Sequence, residues 1–132
     1  MTRDRIIYDF EDVLQKSYNI DHEEPGWYRF SKGKFNFQGG IKDERFQISL
    51  ELFVVDNTAV AHLDKDMKKA TKSLESCLIE REGNSVWLST TISLTEVNPD
   101  AIREMLDNCL SAAKTRSIWN LSTQHKQAPK RF

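Results

Sequence analysis

Long apolar runs are missing from this 132-residue sequence. None approaches the roughly 18 consecutive apolar residues of a membrane-spanning helix, so a helical span is excluded and no membrane partner is expected. The opening stretch MTRDRIIYDFED places acids inside its one apolar patch. It is read as neither a secretory signal nor an anchor, and a cytoplasmic location is expected. Cysteine is scarce: Cys77 and Cys109 lie 32 positions apart, with no CxxC and no nearby histidine. The pair is read as two reduced, buried thiols acting as small hydrophobes. His22, His62 and His125 show no HxH or HExxH spacing, and each is read as a surface or edge histidine. No metal or other cofactor is expected.

Catalytic signatures are equally absent. SKGK and QGGIK are too short and wrongly spaced for the phosphate loop GxxxxGK[ST], and no serine stands in a GxSxG elbow. The acid clusters DHEE (21–24) and DKD (64–66) fall at turns or helix starts. Capping and solvation account for them, since general acid-base work needs two carboxylates converging on a pocket. A protein that is not an enzyme is expected. Acids are also missing after Asp107. The last twenty residues hold Lys114, Arg116, Lys126, Lys130 and Arg131, a charge of +5, which leaves −6 on the rest of a chain whose net charge is −1. An acidic body lacks the basic stripe that displaces phosphate counterions, so no nucleic-acid partner is expected.

What remains is an ordinary soluble composition, 39% hydrophobic and 30% charged. A chain of this length buries roughly two thirds of its unfolded surface in one domain. Residues 1–120 are read as that domain, and 121–132, ending in QHKQAPKRF, as a basic flexible tail. In residues 4–17, Ile6, Ile7, Phe10, Val13 and Leu14 recur at helical spacing and predict an amphipathic helix. DHEEPG then halts it and turns the chain. WYRF, KFNFQ and RFQISLELFVV read as strands, and TAVAHL, after the turn pair Asp56-Asn57, completes a hairpin.

In the long strand Phe46, Ile48, Leu50, Leu52 and Val54 share one face; Gln47, Ser49, Glu51, Phe53 and Val55 share the other. The polar residues of that second face predict an antiparallel sheet covered on one side only. A second helix is expected from Asp64 or Asp66, burying Met67, Ala70, Leu74 and Cys77 or Leu78. CLIERE and SVWLSTTISL form a hairpin about Gly83-Asn84, and Asn98-Pro99 caps a last helix with the stripe Ile102, Met105, Leu106, Cys109, Leu110 and Ala113.

The expected class is α+β: an antiparallel sheet covered by helices, in the order α-βββ(β)-α-ββ-α. Seven aromatics fall between Trp27 and Phe53. They build the core, or those on the second face join Phe53, Val55 and Trp87 in an apolar patch for another chain. An RNA-binding sheet would add an RRM-type KGFGFVxF motif, which is missing.

The segments LIEREGNSVWLSTTISL and TEVNPDAIREMLDNCLSAAK, placed after a helix, resemble the strand, glycine turn, strand and closing helix of the class I chaperones of bacterial type III secretion and of the sensory transduction regulators that share their fold. The resemblance implies a homodimer without enzymatic activity that binds an unfolded segment of a secreted effector. It implies effector contacts at Phe10, Val13, Phe53 and Val55. For the dimer it implies Leu74, Trp87 and Ser89, because a tryptophan among small hydroxyls suits a self-complementary patch. The alternative is a small immunity or anti-defence inhibitor whose acidic body masks a basic enzyme surface.

Overall fold

The computed structural model describes residues 3–55, 60–74 and 76–125. Helix α1 (Arg3–Ser17) forms where the apolar spacing predicts it, with Ile6, Phe10, Val13 and Leu14 buried along one stripe. Asp9, also buried, is held by Arg5 one turn earlier at 3.3 Å. Strands β1 (Asn19–Glu24), β2 (Trp27–Lys32), β3 (Phe35–Lys42) and β4 (Arg45–Val54) follow as a meander. Gly26 and Gly33 take the positive φ of the first two turns. Asp43 and Glu44 take it in the third, the backbone twist that tight hairpins require. Helix α2 (Val60–Thr71) leads to the hairpin β5 (Leu78–Glu82) and β6 (Ser85–Ser93). A short 3-10 turn precedes α3 (Pro99–Ala113), and α4 (Arg116–His125) closes the described chain. Asn98 caps α3 as its sequence predicts, its Oδ1 accepting from the Ala101 N–H at 2.8 Å.

All six strands join one antiparallel sheet in the order β1-β2-β3-β4-β6-β5. The α+β class and the element order are as expected. Alternation sends Tyr28, Phe30, Phe37, Phe46, Ile48, Leu50, Val86 and Leu88 to one face, where α1 and α3 bury them. Phe10 is the centre of that layer. Its ring meets Tyr28, Phe30 and Phe46 edge-on at 5.5, 5.6 and 5.0 Å between centroids, the geometry that aromatic quadrupoles favour. Gly39 lies beneath it, where a Cβ would stand 3.3 Å from Phe10 Cζ and 2.8 Å from the Gln47 carbonyl oxygen. Tyr28 donates its hydroxyl proton to Glu11. Burial and that bond push the phenol well above its usual pKa.

Five local readings are corrected. NIDHEE is an edge strand rather than part of a turn, so His22 is a strand residue. Of TAVAHL, Val60 to Leu63 open α2 rather than a strand, so His62 is helical, while 56–59, with the turn pair Asp56-Asn57, lie outside the described residues. The buried residues of α2 include Leu63, ahead of the expected stripe, with Met67 and Ala70; of the rest of that stripe Leu74 is half-buried, Cys77 is buried and Leu78 is exposed. The alternation of β4 fails after Glu51. Glu51 pairs with Trp87 and Phe53 with Val86, so Leu52 is an extra residue in a β-bulge. The bulge reverses every side chain beyond it: Phe53 and Val55 enter the core at 5% and 4% exposure, and Val54 faces out. Finally, the folded part runs past residue 120. Ile118 and Leu121 lie one helical turn apart in α4 and are buried, so 121–125 belong to the domain.

Phe10→Ala is expected to cost about 3–5 kcal/mol, the usual penalty for emptying an aromatic site in a core. Tyr8→Ala, one exposed face of α1 away, should stay within about 0.5 kcal/mol. Urea unfolding of the two variants checks both values.

Candidate functional site

The face of the sheet turned away from α1 and α3 is set by the same alternation. The register lines up Arg29, Gln38, Ser49, Ser89 and Leu78 across β2, β3, β4, β6 and β5. The next row toward the β5-β6 turn places Trp87 between Glu51 and Glu80. On the opposite side of the serine row, Gln47 stands between Gly40, itself paired with Trp27, and Thr91.

Gly40 cannot carry a side chain, because a Cβ there would collide with the Gly26 carbonyl. The middle of this face is tightly closed. Ser49 and Ser89, 1% and 2% exposed, share a hydrogen bond of 2.8 Å, and Gln47 Nε2 donates to Ser49 Oγ at 2.9 Å. Among the described residues no buried side-chain polar atom is left without a partner.

Around this floor the sheet curls. Gln38 of β3 donates to Glu82 of β5 at 3.4 Å, reaching over β4 and β6. The result is an open trough of about 1340 Å³, with a smaller extension of about 430 Å³ beside Asn36, Glu51 and Ser85. Helix α2 stands along the β5 edge and supplies one wall with Asp64, Met67, Lys68, Thr71 and Lys72. It is fastened there by two bonds. Thr71 Oγ1 accepts from the Ile79 N–H at 3.2 Å, and Arg81 reaches Asp64 at 3.4 Å. Trp27 and Trp87, both half-buried, stand in the trough as its two large apolar side chains, with Ile41 and Leu78 at the margins. Both signs of charge line it: Arg29, Lys42, Lys68 and Lys72 against Glu24, Asp64, Glu80 and Glu82.

The groups whose pKa is displaced, Tyr18, Tyr28, Cys77 and Cys109, do not line the trough. Among the described residues no group of three His, Cys, Asp or Glu side chains is placed to hold a metal ion. No described helix is long and apolar enough to cross a membrane.

Of the residues singled out by sequence, Trp87 and Ser89 meet in the trough, Trp87 on its wall and Ser89 in its floor. Leu74, just beyond α2, is half-buried and does not line it. Phe10, Val13, Phe53 and Val55 are core residues beneath the helices, at most 5% exposed, and present no surface to a partner. For Phe10 and Val13 the reason is that the apolar stripe of α1 faces the sheet; for Phe53 and Val55 it is the bulge. Arg29 and Gln38 were not singled out, and Trp27 was named only as one of the seven aromatics whose second-face members could form a patch. Their signal was present in the alternation of WYRF and KFNFQ, which faces them away from Tyr28, Phe30 and Phe37.

The sequence matches no protein-family model and no curated protein. Solved structures do share the fold. A chain of the ExsC–ExsE complex superposes with a TM-score of 0.61 at 12% identity, over 85% of this chain and 90% of that one. YbjN from E. coli, described as a proposed regulator of transcription, superposes with a TM-score of 0.67 at 10% identity, over 92% and 96%. At such identities the likeness is one of fold.

The serine pair makes the floor testable. Ser49→Ala and Ser89→Ala should each lower stability, and the double variant should fall short of their sum by about 1 kcal/mol, the worth of one buried hydrogen bond. A double-mutant cycle in urea measures this coupling; additive losses would mean that the two hydroxyls do not act on each other.

Proposed function

We propose that this chain is a protein-binding module without enzymatic activity, a cytoplasmic homodimer that holds a segment of an effector-like client protein in its open sheet face. The observation that carries this reading is the curled, uncovered face with Trp27 and Trp87 standing over a floor that satisfies its own hydrogen bonds. A solvated sheet face is common in antiparallel proteins. Two half-buried tryptophans in a concavity are less so, and tryptophan is the side chain most enriched among residues that carry binding energy.

The size of the trough supports a polypeptide occupant, since small-molecule sites rarely exceed about 1,000 Å³. Its alternating charges suit a segment of mixed composition better than a single basic enzyme surface, which sets the chaperone-like reading ahead of the inhibitor reading. The ExsC–ExsE structure, a complex built with this fold, supports the same reading. For the second copy of the chain, the α2–β5 end offers half-buried Leu74 and exposed Leu78. Light scattering at micromolar concentration tests that part separately; a monomer would remove it.

Trp87→Ala should leave the far-ultraviolet circular dichroism unchanged and weaken client binding about 30-fold, the effect of losing one anchor of roughly 2 kcal/mol. Quantitative capture from the native host, with wild type and variant side by side, provides the comparison. Equal recovery of the same partner by both proteins would place the client elsewhere.

A further inference from the structure

Three carboxylates gather around one indole at the end of the trough near the β5-β6 turn. In the register Glu51 of β4, Trp87 of β6 and Glu80 of β5 stand in one row across the open face, an arrangement that sets neighbouring Cβ atoms about 5 Å apart. Glu82, two residues beyond Glu80, shares that face and accepts the 3.4 Å bond from Gln38. Trp87, Glu51 and Glu82 also line the smaller extension of about 430 Å³. The indole is half-buried there.

The fold leaves these acids without a cation. Among the described residues none of Glu51, Glu80 and Glu82 is in an ion pair. Arg81, between two of them in sequence, reaches Asp64 and the Gly83 carbonyl instead. Arg29 borders the extension but belongs to β2, three strands from Trp87. Trp27 is differently placed: its strand partners are Glu24 and Gly40, so a single carboxylate flanks it.

We infer that this end of the trough is an arginine site, where a guanidinium of the client segment stacks on the Trp87 indole and directs its N–H groups to Glu51 and Glu80. The inference rests on the open face being the client surface and adds the chemistry of what is held there. A cation over a tryptophan face is drawn to the ring quadrupole, more strongly as water is excluded. A guanidinium is flat and weakly hydrated, so it can stack on the ring while its in-plane donors reach carboxylates on both sides; an ammonium has no flat face to offer. Its charge also relieves the repulsion among three like charges held close together. An indole alone accepts any apolar anchor, and it is the flanking acids that select a basic one.

The test titrates the full chain with acetyl-arginine methylamide, and in parallel with its citrulline counterpart of the same shape but no charge, at matched ionic strength. The readout is the indole N–H resonance of Trp87, identified by its loss in Trp87→Phe. Arginine should move it saturably in the millimolar range and citrulline should not. Glu51→Gln and Glu80→Gln should each weaken the response roughly threefold, the loss of one exposed charge pair. Changing Lys130 and Arg131 to Gln should leave the free signal where it is. The inference is overturned if citrulline acts as arginine does, if the arginine response does not saturate, or if both glutamine variants bind unchanged. It is also overturned if the Lys130 and Arg131 changes move the signal, since the chain's own basic end would then be the occupant. No client enters this titration, so a saturable arginine response beside equal capture by wild type and Trp87→Ala would sink the client reading alone. A client lost in Trp87→Ala with no arginine response would sink this inference alone. Should a glutamine variant fail to fold, the wild-type comparison of arginine with citrulline decides.

Discussion

Everything in this fold is arranged around the ring of Phe10 lying over Gly39. The glycine removes the one Cβ that would stand in contact with the ring, and Tyr28, Phe30 and Phe46 close around it edge-on. A helix fixed in this way can lie on only one side of the sheet. Helix α3 packs beside α1 on that same side, and α2 is drawn to the β5 edge by Thr71 and Asp64. The second face is left without a helix across it. Its openness is thus a consequence of core packing, and the trough is what a curled sheet makes of an uncovered face.

The same physical separation governs what each face can do. The covered face concentrates aromatic and aliphatic volume, whose contribution grows with the area removed from water. The open face carries amides, hydroxyls and charges that hydrogen-bond laterally, as in the Gln47–Ser49–Ser89 row. Such a row is already satisfied, so a partner need not provide hydrogen bonds to it, and binding energy there falls to the tryptophans and to the charged rim.

Features decided locally were legible in the sequence. The stripe of α1, the Asn98 cap of α3 and the parity of Val86, Leu88 and Thr90 against Trp87 and Ser89 all follow from spacing and side-chain chemistry within a few residues. Features decided by pairing were not. Nothing in QISLELFVV marks Leu52 as the bulged residue, because the alternation of apolar side chains continues through it; only the register against Trp87 and Val86 reverses Phe53 and Val55. The short run in TAVAHL fits strand or helix equally well. The stripe of Ile118 and Leu121 is two residues long and hidden in a basic segment. The site itself needed the whole fold: Trp87 and Ser89 declared their face, but Arg29 and Gln38 joined them only through the register of five strands.

The central claim is that the open face, rather than the helical face, is the working surface. A photo-crosslinking amino acid placed at position 87, and in a parallel sample at the exposed position of Tyr8 on α1, tests it most directly in the native host. The account predicts a crosslinked partner from position 87 and none from position 8. A partner captured from position 8, with position 87 silent, would contradict it.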